Sequence, residues 1–93
     1  MDMKKLAAEF AAQNKPAGKA GNVYYRGAVI YSYGEHFPIA YIRGGRAFFN
    51  SDGYSRSTSR HKSTVRAALS AYVITERNTA ELRDLIRAEG AAE

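Results

Sequence analysis

Residues 22–50, NVYYRGAVIYSYGEHFPIAYIRGGRAFFN, decide the fold. Their side chains repeat with a period of two, and aromatic and β-branched residues fill the pattern, as a pleated surface prefers. Residues 23–26 and 28–33 read as strands on either side of Gly27, which is a turn or a bulge. In the second strand Val29, Tyr31 and Tyr33 are expected on one face, with Ala28, Ile30 and Ser32 on the other. Gly34-Glu35-His36 reads as a turn. Pro38 has no N–H to give a ladder, so it can only begin a strand or lie at an edge. Residues 39–43 continue as a strand, Gly44-Gly45 makes a hairpin turn, and residues 46–50 return. Ser51-Asp52-Gly53 is another turn, and residues 54–57 are a candidate for a last short strand. The expectation is an antiparallel sheet of about four strands within residues 22–57.

Outward from this sheet the period becomes helical. Met3, Leu6, Ala7, Phe10 and Ala11 form one apolar stripe, with Asp2 placed to cap it, so residues 1–14 read as an N-terminal helix ended by Asn14 and Pro16. Residues 15–21, KPAGKAG, carry one Pro, two Gly and two Lys and read as a flexible linker. Beyond the sheet, Ser59 or Thr58 is expected to cap a helix bearing Val65, Ala68, Leu69, Tyr72 and Val73. Asn78 or Thr79 should cap a final helix with Leu82, Leu85 and Ile86, stopped by Gly90. Residues 59–90 thus read as two C-terminal helices. The whole is one α+β domain over residues 1–93, a small antiparallel sheet with its helices on one face.

Composition sets limits on function. The chain has no cysteine, which excludes disulfides and zinc-thiolate sites and fits a reducing compartment. No apolar run approaches the ~20 residues of a membrane span, and no signal-peptide pattern opens the chain. The expectation is a soluble, cytoplasmic protein. The net charge is +5, unevenly placed. Residues 15–66 hold nine Lys and Arg against Glu35 and Asp52 alone, whereas residues 67–93 hold three Arg against five carboxylates. A basic middle suits an anionic partner.

The sharpest cationic run is residues 54–66, YSRSTSRHKSTVR. Arg56, Arg60, Lys62 and Arg66 stand among six hydroxyl side chains and His61, with no acid. Such a run, turning into a helix, offers Arg, Ser59 and backbone N–H donors to phosphate. Arg43 and Arg46 flank the Gly44-Gly45 turn and read either as a phosphate probe at a hairpin tip or as solubilising charge. Tyr31, Tyr33 and His36 could stack nucleobases, and Tyr31 and Tyr33 could equally pack beneath a helix.

Catalytic patterns are weak by contrast. His36 and His61 are the two histidines, and with Tyr54, Arg56 and Ser59 they would have to be brought together by the fold to make a phosphodiesterase-like site. There is no pair of carboxylates for a metal, no P-loop and no G-x-G-x-x-G. Glu35 and Asp52 read as turn residues. No cofactor, metal ligand or catalytic residue is therefore assigned, and the chain reads as a binding module rather than an enzyme.

The strings YSYGEHFPIA, residues 31–40, and YSRSTSRH, residues 54–61, resemble a group of small proteins from phages and related mobile elements. The resemblance covers residues 31–66 and leaves both terminal helices outside. It implies a phage setting, hence a host-cell cytoplasm, in which small proteins act on host nucleoprotein machinery. Two partner readings stand: the first, resting on Arg43, Arg46, Arg56, Arg60, Lys62 and Arg66, is nucleic acid or the nucleic acid-facing groove of a nucleoprotein complex. A host-defence complex, inhibited by protein contact in the manner of anti-CRISPR proteins, is the second.

Overall fold

The computed structural model describes residues 1–53 and 55–90. Helix α1 (Met3–Ala12) precedes strands β1 (Ala17–Ala20), β2 (Val23–Arg26), β3 (Val29–Ser32), β4 (Pro38–Arg43) and β5 (Arg46–Asn50). Helix α2 (Arg56–Ala68), strand β6 (Val73–Arg77) and helix α3 (Thr79–Ala88) follow. The strands form one sheet in the order β1-β2-β3-β4-β5-β6. The first five are an antiparallel meander, and β6 joins parallel to β5 with α2 as the crossover. The architecture is α+β with one N-terminal and two later helices, as expected, but the sheet has six strands rather than about four.

The two additional strands come from segments read otherwise. Residues 17–20 are a strand paired with β2, not part of a linker. Gly18 is small there because α1 crosses close above it. A β-carbon at Gly18 would lie 2.6 Å from Tyr25 Cε2 and 3.1 Å from Leu6 Cδ1. Gly21, at φ 60°, makes the turn into β2. The glycines of this segment thus serve close approach and turning, not flexibility.

Residues 73–77 make β6, whereas the sequence placed Val73 on a helical stripe. Val73-Ile74-Thr75 is a β-branched run, which resists helix and suits a strand. Helix α2 also begins earlier than expected. Ser55, not Thr58 or Ser59, is its cap, and its Oγ accepts from Thr58 N at 3.1 Å. Arg56 and Ser57 are accordingly helical rather than strand, while Tyr54, the first residue of that expected strand, lies outside the described residues. Other boundaries follow the sequence. Asp2 caps α1, Asn78 caps α3 in a reciprocal box with Glu81, and Gly90 turns left-handed after α3. Pro38 opens β4, where no ladder N–H is needed.

The helices cover both sheet faces, not one. Leu6 and Phe10 of α1, Val65 of α2 and Leu69 at its C-terminal cap pack against Tyr25, Ile39 and Phe49. On the other face Leu82 and Ile86 of α3 pack against Val29, Tyr31 and Tyr41. The signal lay in β4, where Pro38-Ile39-Ala40-Tyr41-Ile42 is apolar without alternation and buried throughout. A strand of that kind needs cover on both sides.

Candidate nucleic-acid interface

Helix α2 is amphipathic in an unusual sense: its inner side is partly polar and its outer side is cationic. Val65 and Leu69 enter the apolar core, and the first turn is held down by hydroxyls. Ser55 Oγ lies 3.1 Å from Thr58 Oγ1, Thr58 Oγ1 lies 3.0 Å from Ser32 Oγ, and Ser32 Oγ lies 3.0 Å from His61 Nδ1. Ser32 and Thr58 are fully buried, so each needs this partner in place of water. The chain of hydroxyls fastens the start of α2 to β3.

His61 therefore faces inward. Burial pushes its pKa below the usual imidazole value, so the ring is neutral at pH 7 and adds no charge to the helix surface. Its partner Ser32 is fully buried. The hydroxyl network is a fastening, and the sequence had read His61 as an anion contact.

Lys62 and Arg66 border a groove of about 270 Å³ lined also by Phe49, Ser59 and Ser63. Lys62 Nζ donates to the Asp52 carbonyl at 2.7 Å and stands 5.7 Å from the Phe49 ring centre. The Arg66 guanidinium is 5.1 Å from the same ring and 3.2 Å from Glu76. The aliphatic stems and charges of both residues thus cover an otherwise open aromatic edge. Arg56 and Arg60 are different. Both side chains are exposed and neither pairs with an acid among the described residues. Ser59 is exposed between them. Arg56, Ser59, Ser63 and Arg66 are spaced i, i+3, i+7 and i+10, one stripe of a helix. Beside it a second, mostly apolar groove, lined by Lys4 and Ala8 of α1 with Ser63, Thr64, Ala67 and Ala68, brings one further cation, Lys4, next to the helix.

Arg43 and Arg46 do not join this surface. Arg43 pairs with Glu89 beyond α3, and Arg46 Nη1 donates to Thr75 Oγ1 at 2.7 Å. Both follow the side-chain parity of Tyr41 and Phe48, which face α3. They belong to the opposite side of the sheet from α2.

The three expected stacking residues are also divided. Tyr31 is only 2% exposed, its ring stacked on Tyr24 at 5.1 Å and covered by α3, so it offers no face to a base. Tyr33 does not share that face. It takes a left-handed backbone conformation, φ 66°, just beyond β3, which turns its ring to the α2 side. There it sits 5.9 Å from the His61 ring and stays 45% exposed. His36 is exposed in the turn of residues 33–37.

Asp52, read as a turn residue, holds the N-terminus of α3. Its Oδ2 accepts from Thr79 N at 2.8 Å, and that backbone hydrogen bond keeps its carboxyl below the usual range. Among the described residues no three His, Cys, Asp or Glu converge as a metal site, and no helix is long and apolar enough to cross a membrane. Sequence reasoning missed Lys4 as a member of the surface and Phe49 as the buried ring beneath Lys62 and Arg66. Phe49 reads as a plain core aromatic, and only the crossover of α2 above it shows why Lys62 and Arg66 stand where they do. Comparison with protein-family models, curated proteins and solved structures found no match.

Proposed function

We propose that this domain is a binding module for nucleic acid, or for the nucleic acid-facing groove of a nucleoprotein complex, working through the outward face of α2. The observation that carries the reading is a helix of thirteen residues without one acid, whose exposed Arg56 and Arg60 have no ion pair among the described residues. Charges left unpaired beside hydroxyls suit phosphate oxygens, which accept from both. Arg56 and Arg66 are ten residues apart, so the stripe runs ~15 Å along the helix axis. That length matches roughly four to five phosphates of one strand, at about 3.4 Å of helix axis each. Tyr33 adds an exposed ring at the same end of α2 on which a base can stack.

The reading assigns no catalytic residue and no cofactor, and it places the protein in the cytoplasm, that of a host if the chain is phage-encoded. Its test is fluorescence anisotropy of labelled single- and double-stranded DNA and RNA with the whole chain and with Arg56→Ala/Arg60→Ala. Binding that the double variant loses, with unchanged thermal stability, supports the reading. Equal binding by the two proteins refutes it.

A second reading is favoured by β6. It is one of the two edge strands of the sheet, and Val73 on it is 61% exposed. An open edge with an apolar residue suits addition of a partner's strand. On this reading the chain is an inhibitor of a host-defence complex, of the anti-CRISPR kind, and binds the assembled complex while leaving free nucleic acid alone.

A further inference from the structure

The α3 face carries a groove that the α2 surface does not use. It measures about 310 Å³, near the lower end for small-molecule sites, and lies between α3 and the turn of residues 33–37. Arg83, Ile86 and Arg87 line it from α3, and Tyr31, Glu35 and Pro38 line it from the sheet and the turn.

Three features of this groove are unexplained by folding. First, Tyr31 is 98% buried, yet its hydroxyl bonds to no described residue. No buried side-chain oxygen among the described residues is sealed without a partner. The Tyr31 hydroxyl therefore opens onto the groove that it lines. Burial pushes its pKa up, so it remains a neutral donor at any ordinary pH. Second, Arg83 makes no ion pair with a described residue, and Arg87 reaches only Asp84 at 3.7 Å across exposed surface. Third, the two guanidiniums are four residues apart on one helix face, where like charges repel. An anion between them removes that repulsion, and the fork of a guanidinium matches the two oxygens of a carboxylate.

The surroundings limit the charge. Glu35 is held on the turn side by Arg26, and the carbonyl end of α3 finishes at the same groove with Gly90. Both disfavour more than one negative charge. We infer that the groove between α3 and the turn of residues 33–37 binds a small organic carboxylate with an apolar body. Its two oxygens lie against Arg83 and Arg87 with the Tyr31 hydroxyl donating, and its body rests on Pro38 and Ile86. The site is on the opposite side of the sheet from α2, so its occupancy is independent of the nucleic-acid reading.

The test is an amide ¹H–¹⁵N NMR titration of the whole chain at fixed ionic strength with sodium benzoate, phenyl phosphate and benzyl alcohol. Benzoate should give saturable shifts centred on Tyr31, Arg83 and Arg87, with Kd on the order of 1 mM for so few ligand atoms. Arg83→Gln/Arg87→Gln should weaken benzoate by roughly tenfold or more. Tyr31→Phe, which removes only the hydroxyl, should weaken it about three- to fivefold. Unchanged spectra elsewhere show that each variant is folded. Shifts that do not saturate, shifts centred on α2, or equal affinity in the double arginine variant overturn the proposal. So do benzyl alcohol binding as well as benzoate and phenyl phosphate binding more tightly.

Discussion

His61 Nδ1 lies 3.0 Å from Ser32 Oγ, joining the second turn of α2 to the end of β3 through a part-buried contact between residues twenty-nine apart. The ring's pKa is lowered by burial, and the sign of its effect on stability follows. The folded state holds neutral His61 better than the unfolded chain does, so its contribution is complete above the ordinary value of 6.5. It is lost as pH falls from there through the lower folded value. Urea unfolding across that range should show stability falling with pH, and His61→Gln should flatten this step. A wild-type profile that stays level below 6.5 would contradict the burial argument.

Ser32→Ala tests the hydroxyl chain itself. It leaves Thr58 Oγ1, fully buried, with Ser55 alone, and removes the partner of His61. The expected loss is about 1–3 kcal/mol by denaturant unfolding. A loss below the scatter of the measurement would mean that water replaces the serine at no cost.

Gly18→Ala should destabilise by roughly 1–3 kcal/mol, since the new methyl meets the Tyr25 ring at 2.6 Å and α1 must shift. Gly45→Ala, where nothing stands within 4 Å, should change thermal stability little. Equal melting temperatures for the two variants would return residues 17–20 to the flexible linker that their composition suggests.

Tyr31 and Tyr33 should separate packing from contact. Tyr31→Ala empties a site under α3 and should cost ~3–5 kcal/mol of stability. Tyr33→Ala loses an exposed ring and should change stability by less than about 1 kcal/mol. It should nevertheless weaken single-strand binding by roughly 1–3 kcal/mol if a base stacks there. Loss of binding without loss of stability in Tyr31→Ala would reverse the assignment.

The contrast between these tyrosines shows where the sequence was informative. Caps and turns depend on neighbours, so Asp2, Asn78, Pro38 and the Gly44 turn were legible from residue type alone. The cationic run of α2 was legible as well, because no core takes in four cations from a run that holds no acid. What depends on the other side of the sheet was not. Alternation placed Tyr31 and Tyr33 together, but the left-handed backbone at Tyr33 is a bulky residue's departure from pattern that propensity does not foresee. Residues 17–20 became a strand because α1 presses on Gly18, and residues 73–77 because β5 had a free side to fill. Arg43 and Arg46 left the site for the same reason. Their parity in the hairpin, not their charge, decides which face they serve.

The most direct measurement of the central claim is the affinity of the whole chain for a labelled single strand over a salt series, with Arg56→Ala/Arg60→Ala beside it. With Arg56, Arg60, Arg66, Lys62 and Lys4 near the backbone, log K should fall against log salt with a slope of about −3 to −4. The double variant should bind more weakly and lose about 1.5 to 2 from the magnitude of that slope. An absence of binding at low salt, or a slope unchanged by removing both arginines, would contradict phosphate recognition by α2.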